Sequence, residues 1–229
     1  MRAVGLLCVV ALGCAGCATG AAAPPSPNLL QNGSFEQGRE PWFDFQRPEK
    51  PYWGSFEISE AQASAGRHSL QLSLDSGNFP TSTGIAGAAQ DVATARLPRR
   101  LSGRYRVERW EPGTPTQYIQ LVVMAFDASN FRQIGASLQL SLILAGIDTP
   151  PFAIGNRRFE FAGPRDPELG RWIPFAFDLH EQFARHWGGV PVDLRSVRVF
   201  VEARFDGLQR SAGQSAGALV YFDALHLGD

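Results

Sequence analysis

Residues 69–75 read Ser-Leu-Gln-Leu-Ser-Leu-Asp, and this short stretch indicates the fold class. Leu70, Leu72 and Leu74 alternate with polar residues, so an extended chain places the leucines on one side and the polar groups on the other. The pattern predicts a β-strand with one buried face and one face toward solvent. Strands of this kind are typical of antiparallel sheets.

The same alternation recurs along the chain. Residues 118–126 are apolar on both parities apart from Gln120, which predicts a central strand covered on both sides. The 24 glycines and 16 prolines favour frequent turns. We therefore predict an all-β fold: a two-sheet antiparallel β-sandwich (jelly roll) with one short helix on a connection. The other predicted strands lie around residues 101–108, 138–144, 197–205 and 218–227.

The helix is predicted over residues 178–187. Asp178 is a suitable N-cap, and Glu181 stands three residues later, as in a capping box. Gly188 and Gly189 follow and favour the end of the helix.

The first residues are typical of an export signal. Arg2 precedes an apolar segment, 3–12, of about ten residues, which is too short to anchor a protein stably in a bilayer. The following Gly-Cys-Ala-Gly-Cys resembles the cleavage and acylation site of a bacterial lipoprotein. Cys17 has two small residues before it and is favoured as the lipid attachment site over Cys14. An ordinary secretory signal with incidental cysteines is the open alternative.

Three segments follow from this pattern. Residues 1–17 are predicted to be the lipoprotein-type signal, 18–27 an Ala/Pro linker, and 28–229 a single β-sandwich domain. All three cysteines lie in the first segment, so the domain has no internal disulfide and no Cys-ligated zinc site. The expected location is the bacterial cell envelope. There the protein faces outside the cytoplasm and meets the membrane only through its N-terminal lipid.

Charge composition excludes one class of partner. Lys and Arg number 21 against 22 Asp and Glu, which gives a formal net charge of -1. Non-specific binding to nucleic acid therefore has no electrostatic driving force.

Both ends of the predicted domain carry recognisable motifs. Residues 28–38 read NLLQNGSFEQG and residues 220–227 read VYFDALHL, with AGRHSLQL at 65–72 and RWIPF at 171–175 between them. Together they resemble the galactose-binding-like jelly-roll modules that bacterial xylanases and cellulases carry as carbohydrate-binding modules. The resemblance implies a jelly-roll fold and binding of a polysaccharide or glycan. Residues 130–170 depart from the pattern and align with nothing.

The resemblance also implies a structural Ca²⁺ where the opening and closing motifs meet. Carried over, Glu36 and Asp223 supply carboxylate oxygens and the turn at Arg67 supplies a backbone carbonyl. Oxygen ligands of these kinds suit Ca²⁺. In the alternative, Asp223 caps a strand end, Glu36 is solvated, and no metal binds.

Candidate ligand-binding residues are aromatics that share a strand face with planar polar groups, because sugar rings stack on aromatic rings while their hydroxyls pair with amides, carboxylates and guanidiniums. One predicted strand carries a polar row that includes Arg106 and ends on Trp110. The next strand places Tyr118 and Gln120 on one face, and a later strand adds Glu202 and Arg204. We predict that they form one ligand-binding face, made of Trp110, Tyr118, Arg106, Gln120, Glu202 and Arg204. A solvent-facing ladder of charge pairs is the alternative.

Other aromatics receive weaker assignments. The resemblance places Trp42 and Trp172 at positions that are usually in the core. Tyr52 and Trp53 lie in an irregular, proline-containing stretch and are candidates to contact a ligand from a loop.

The sequence lacks the common catalytic motifs. His180 and His186 are six positions apart, whereas a metalloprotease helix needs a spacing of four. Acid pairs close in sequence, Glu108 with Glu111 and Asp166 with Glu168, stand in no recognisable glycosidase frame. We therefore expect a non-catalytic, surface-tethered protein that binds a polysaccharide or glycan. Two alternatives remain open: a structural or protein-interaction domain of the envelope, and a polysaccharide hydrolase or lyase.

Overall fold

The computed structural model describes residues 26–229. The predicted signal, most of the predicted linker, and both Cys14 and Cys17 lie outside the described residues. Within 26–229 no helix has the length and apolar character needed to cross a membrane.

Two sheets face each other, and they confirm the predicted all-β sandwich. The first sheet has six strands. In spatial order these are β1 (Trp53–Gly54), β4 (Gly84–Val92), β10 (Ser196–Asp206), β6 (Thr116–Phe126), β7 (Ser137–Ala145) and β8 (Arg157–Phe161). The second sheet has five strands, in the order β2 (Glu57–Ser59), β3 (Ser69–Asp75), β11 (Gly217–Gly228), β5 (Arg100–Glu111) and β9 (Trp172–Asp178).

The six-stranded sheet is not wholly antiparallel. The short strand β1 runs parallel to β4, and β8 runs parallel to β7, so a parallel pair closes each edge of this sheet. A parallel neighbour needs a crossover, and residues 146–156 provide it between β7 and β8. This crossover belongs to the region of the chain that the family resemblance left unaligned.

The core lies between the sheets and follows the predicted alternation. Leu70, Leu72 and Leu74 of β3 are fully buried in it. Strand β6 lies between β10 and β7, and both of its faces are covered, as its continuous apolar sequence predicts. Trp42 is 2% exposed and packs against Phe35 with ring centroids 5.4 Å apart, in agreement with the core position implied by the resemblance.

The single α-helix, α1, spans Leu179–Trp187. Asp178 is its N-cap, and its side chain accepts a hydrogen bond from the backbone N–H of Glu181 at 3.0 Å. The Glu181 side chain pairs with Arg185. Gly188 ends the helix in the left-handed conformation with φ of 77°.

Candidate functional site

The six predicted ligand-binding residues do not share one face. Tyr118 and Gln120 on β6 and Glu202 and Arg204 on β10 belong to the six-stranded sheet, whereas Arg106 and Trp110 on β5 belong to the five-stranded sheet. The sequence identified two real rows of side chains, but the connection between β5 and β6 passes from one sheet to the other.

Trp110 lies on the opposite side of its strand from Arg106. Leu219 pairs with Arg109 and Val220 pairs with Val107, so the ladder between β5 and β11 skips one residue at a β-bulge. Beyond the bulge the inward and outward positions exchange. Trp110 therefore packs against the main core. The prediction that the polar row of β5 continues onto this indole is wrong.

The other four residues meet beneath a covered surface. Arg204 lies directly opposite Tyr118, and Glu202 directly opposite Gln120, on the outer face of the six-stranded sheet. Gln120 donates a hydrogen bond to the Glu202 carboxylate, and both side chains are buried. Arg204 makes two hydrogen bonds to Asp206, at 2.7 and 3.0 Å. Burial closes this quartet to a ligand on the outside.

Tyr118 shows how complete the cover is. The residue is 0% exposed, clusters with Ile147 and Phe159, and its hydroxyl has no hydrogen-bond partner within the described part of the chain. Burial raises the pKa of this hydroxyl, so it stays protonated at neutral pH. Phe152, from the β7–β8 crossover, packs against the same cluster.

The predicted metal residues do come together, but as a clamp on a loop. The Glu36 Oε1 atom accepts hydrogen bonds from the backbone N–H groups of Arg67 and His68, both at 2.9 Å. The Asp223 Oδ2 atom accepts bonds from Ser64 at 2.7 Å and Ala65 at 3.0 Å. The opening and closing motifs thus grip the turn at 64–68, as the resemblance implies for this pair.

This donor set does not fit a Ca²⁺ ion. Backbone N–H groups point at both carboxylates, and an N–H group carries positive charge toward the place where a cation would bind. Arg67 presents its N–H rather than its carbonyl to Glu36. Across residues 26–229, moreover, no three His, Cys, Asp or Glu side chains are grouped to hold a metal. The calcium expectation stays a prediction of the resemblance, and these contacts argue against it.

A wide cleft opens at the edge formed by β1, β2 and β3, and we call it the Trp53 cleft. Its volume is about 880 Å³, and it is open to solvent. Half-buried Trp53 stands in its wall between Pro51 and Gly54. The polar side chains that line the cleft are amides, guanidiniums, hydroxyls and one carboxylate, from Arg39, Gln46, Arg47, Ser55, Glu57, Gln71, Ser73 and Asn78.

Local structure holds Trp53 in place. Its backbone N–H donates to the carbonyl of Lys50 at 2.9 Å, and the adjacent Tyr52 carbonyl accepts from Ile85 of β4 at 2.9 Å. The indole packs against Phe45 with centroids 5.1 Å apart. The ring is therefore fixed before any ligand arrives, which lowers the entropy lost on binding.

Arg39, in the wall of the Trp53 cleft, forms an ordered ion pair with Asp44. Arg39 donates to Asp44 at 2.8 Å and to the carbonyl of Phe56 at 2.7 Å. Partial burial of Asp44 alone would raise its pKa, but hydrogen bonds from Ser55, the Gln46 backbone and Arg39 outweigh burial and lower it. Asp44 is therefore ionised at neutral pH and keeps Arg39 oriented at the cleft.

A second row of side chains continues from the cleft across the outer face of the five-stranded sheet. Gln71 lies opposite Tyr221, Tyr221 opposite Arg106, and Arg106 opposite Trp172, on four successive strands. Arg106 is held by Glu108 at 2.7 Å. Trp172 is half-buried and faces outward, so the core position implied for it by the resemblance is corrected.

Three of the four acids weighed as catalytic pairs are engaged by a neighbouring arginine. Glu108 pairs with Arg106, Glu111 with Arg109 at 3.0 Å, and Glu168 with Arg171. These contacts favour charge-pair ladders over an acid–base pair at those positions.

Sequence reasoning gave Trp53 only a weak assignment. Trp53 follows two prolines and has no alternating neighbours, so no strand pattern shows which way its ring points. The available signal was compositional: a Tyr-Trp pair within an irregular stretch that also carries Gln46 and Arg47.

The fold is a β-sandwich of the jelly-roll class. It has two facing sheets, a clamp that joins both ends of the domain, and an open cleft at one edge. No family model and no curated protein matches this chain in sequence.

Solved structures with a similar arrangement include carbohydrate-binding modules. A family 61 module in complex with β-1,4-galactotriose has a TM-score of 0.46 and 13% identity, and the match covers 88% of this chain and 98% of that one. A family 16 module has a TM-score of 0.46 and 16% identity, with 88% and 100% covered. The enzymatically active domain of tailspike protein 4 from bacteriophage CBA120 has a TM-score of 0.46 and 12% identity, with 88% of this chain and 21% of that chain covered. Because the TM-scores are below 0.5, we infer the kind of ligand from the residues of this chain and not from these structures.

Proposed function

We propose that this protein is a non-catalytic carbohydrate-binding protein and that the Trp53 cleft is its ligand site. One observation carries the proposal: half-buried Trp53, held against Phe45, lines an open cleft of about 880 Å³ together with planar polar side chains. A largely preformed concave site with a few convergent polar groups is the usual form of a binding pocket.

The chemistry of the cleft suits a sugar. The C–H face of a pyranose ring stacks on the indole of Trp53. The amides of Gln46, Gln71 and Asn78 both donate and accept, which matches the donor and acceptor character of hydroxyl groups. Arg47 adds further donors from the same wall.

The row from Gln71 to Trp172 favours a polymer over a single sugar. Four adjacent strands carry it, and adjacent strands are about 4.8 Å apart, so the row is roughly 14 Å long. A chain bound at Trp53 can continue past Gln71 and Arg106 to the Trp172 indole. Tyr221, between Gln71 and Arg106, is 3% exposed and offers the ligand little surface. Of the predicted ligand-binding residues, Arg106 keeps a place in this proposal.

The lipid anchor and the location belong to the same proposal. The sequence supports acylation at Cys17, the last residue of the signal segment 1–17, and a linker of small residues and prolines up to residue 27 that holds the domain away from the membrane. The protein then presents its cleft on the outside of a bacterial cell envelope.

Affinity electrophoresis of the full-length chain tests the binding proposal. Gels loaded with neutral polysaccharides (xylan, galactan, hydroxyethyl cellulose) are run with the wild type, Trp53→Ala, Asn78→Ala and Trp172→Ala, and circular dichroism checks that each variant is folded. We expect retardation by one polymer, its loss in Trp53→Ala, weakening in Asn78→Ala, and at most partial weakening in Trp172→Ala.

The other outcomes are informative. Loss in Trp172→Ala alone would move the site to the five-stranded face. Free migration through every gel would contradict carbohydrate binding and favour a protein-interaction role. Release of reducing ends from a retained polymer would identify a hydrolase.

A further inference from the structure

A second pocket lies at the opposite edge of the six-stranded sheet from the Trp53 cleft, and we call it the Arg157 pocket. The β7–β8 crossover, the start of β8 and the end of α1 enclose about 440 Å³. Its wall is mostly apolar and aromatic, from Phe152, Ile154 and Phe159. Ile154 is 52% exposed at the rim.

The charged side chains that line this pocket are two arginines. Arg157 and Arg158 contribute to the wall beside the His186 ring, and no Asp or Glu does. The nearby carboxylate of Glu160 is already engaged, because it contacts Arg185 at 2.9 Å and His186 at 3.2 Å.

Arg157 is held in place by neutral groups. Its Nε atom donates to the Ser141 hydroxyl at 2.8 Å and its Nη2 atom donates to the Gln120 amide oxygen at 3.2 Å. Its guanidinium carbon lies 5.2 Å from the ring centroid of Phe152 and 5.3 Å from that of Phe159. The guanidinium is therefore fixed between aromatic rings before a ligand binds.

Neither arginine forms a direct ion pair with a carboxylate. Within residues 26–229, no carboxylate lies within 4.0 Å of Arg157 or Arg158, and Arg158 donates instead to the carbonyls of Gly155 and Arg157. The buried carboxylate of Glu202 bonds to Gln120 and acts on Arg157 only from beyond hydrogen-bond distance, as Asp206 does. A half-buried guanidinium with no carboxylate in direct contact attracts an anion more strongly than an exposed one, because water screens it less.

We propose that the Arg157 pocket binds the carboxylate of an acidic sugar, a uronic acid residue of a polysaccharide. The carboxylate pairs with the guanidinium of Arg157, with Arg158 at the rim, and the apolar face of the sugar ring packs on Phe152. A guanidinium presents two parallel donors that match the two oxygens of a carboxylate. This site is independent of the Trp53 cleft and adds selection for an anionic polymer.

Paired polymers test the charge requirement. The full-length chain is run through gels containing polygalacturonate or the same polymer after reduction of its carboxyl groups. We expect retardation by polygalacturonate and clearly weaker retardation by the reduced polymer. Trp53→Ala, run in parallel, retains the difference between the two polymers, so failure of the neutral cleft and failure of this pocket are distinguishable.

Two variants, Arg157→Gln and Ile154→Asp, locate the site, and each has a control. Arg157→Gln weakens retention of polygalacturonate by at least about tenfold, because charge-assisted hydrogen bonds are lost. Arg171→Gln removes the same charge from an exposed position elsewhere and leaves retention unchanged. Ile154→Asp places a carboxylate at the rim, where the side chain is exposed and folding is not at risk. It weakens retention several-fold, whereas Ile154→Asn does not.

Three results would overturn the proposal: equal retention of the charged and reduced polymers, free migration in both gels, or retention of polygalacturonate that Ile154→Asp and folded Arg157→Gln leave unchanged.

Discussion

Glu36 and His68 are joined twice across the turn that links the two ends of the domain. One carboxylate oxygen of Glu36 accepts from the His68 backbone N–H at 2.9 Å, and the other contacts the His68 Nδ1 atom at 3.1 Å. On its other side, the Nε2 atom of this ring lies 3.2 Å from Glu60. An imidazole between two carboxylates is favoured in its protonated form.

The pair predicts a pH dependence of stability. Hydrogen bonds from His68 lower the pKa of Glu36 from 4.5 to about 2, and the bond to Glu36 raises the pKa of His68 above 6.5. The His68 contribution is fully present below pH 6.5 and is lost as pH rises through its folded-state pKa. The Glu36 contribution is fully present above pH 4.5 and is lost as pH falls toward 2. Both stabilise the fold between these limits.

We therefore expect the difference in Tm between wild type and His68→Asn to be largest between pH 4.5 and 6.5 and to shrink as pH rises further. Thermal unfolding followed by circular dichroism from pH 4 to about 9 measures it. His226→Asn is a matched control, because His226 faces the carbonyl of Ser26 and not a carboxylate. A difference for His68→Asn that is constant across this range would contradict the assignment.

Metal removal is expected to leave the protein unchanged. The oxygens of Glu36 and Asp223 that the resemblance assigns to Ca²⁺ accept hydrogen bonds from backbone N–H groups of the turn at 64–68. A ligand that binds only the folded state raises Tm, so the comparison of 5 mM EDTA with millimolar Ca²⁺, roughly a thousand times a micromolar dissociation constant, is sensitive. Equal Tm values are expected. A rise of several degrees with Ca²⁺ would show that the turn presents carbonyls instead.

The sequence predicts strands whose side chains alternate between buried and exposed positions. It does not predict which loops cover the outer faces of those strands. The alternation in β3 and the continuous apolar sequence of β6 place these strands correctly, because a strand in contact with a core must keep its parity. The meeting of Glu36 with the turn before β3 follows equally from the motifs. Periodicity carries no information about the crossover at 146–156, which buries Tyr118.

Trp110 illustrates a second limit of the same kind. A bulge inserts one residue without any marker in the sequence, since the bulged position holds an ordinary Glu108 between Val107 and Arg109. Every parity assignment beyond it is inverted. The identity of the strand is predicted correctly, but the face of its last aromatic is not.

That inversion gives a mutational test. Trp110→Ala removes a partly buried indole that packs against the core, so we expect a loss of about 2 kcal/mol in the free energy of unfolding. Retention in polysaccharide gels is expected to be unchanged at temperatures where the variant is folded. Chemical denaturation measures the first quantity and affinity electrophoresis the second. Loss of retention with wild-type stability would instead place Trp110 in the ligand site.

Tyr118 provides the opposite test, in which a deletion strengthens the fold. Its hydroxyl is buried without a hydrogen-bond partner among residues 26–229, next to Ile147 and Phe159. A buried hydroxyl that makes no bond has lost its hydration without compensation, which costs about 1–3 kcal/mol. Tyr118→Phe keeps the ring and removes that loss, so we expect the free energy of unfolding to be unchanged or up to about 1 kcal/mol higher. Tyr105→Phe is the matched control, because the Tyr105 hydroxyl donates to the Leu144 carbonyl at 3.2 Å and its removal should lower stability. Urea unfolding of both variants measures the contrast, and a marked loss in Tyr118→Phe would mean that this hydroxyl is hydrogen-bonded in solution.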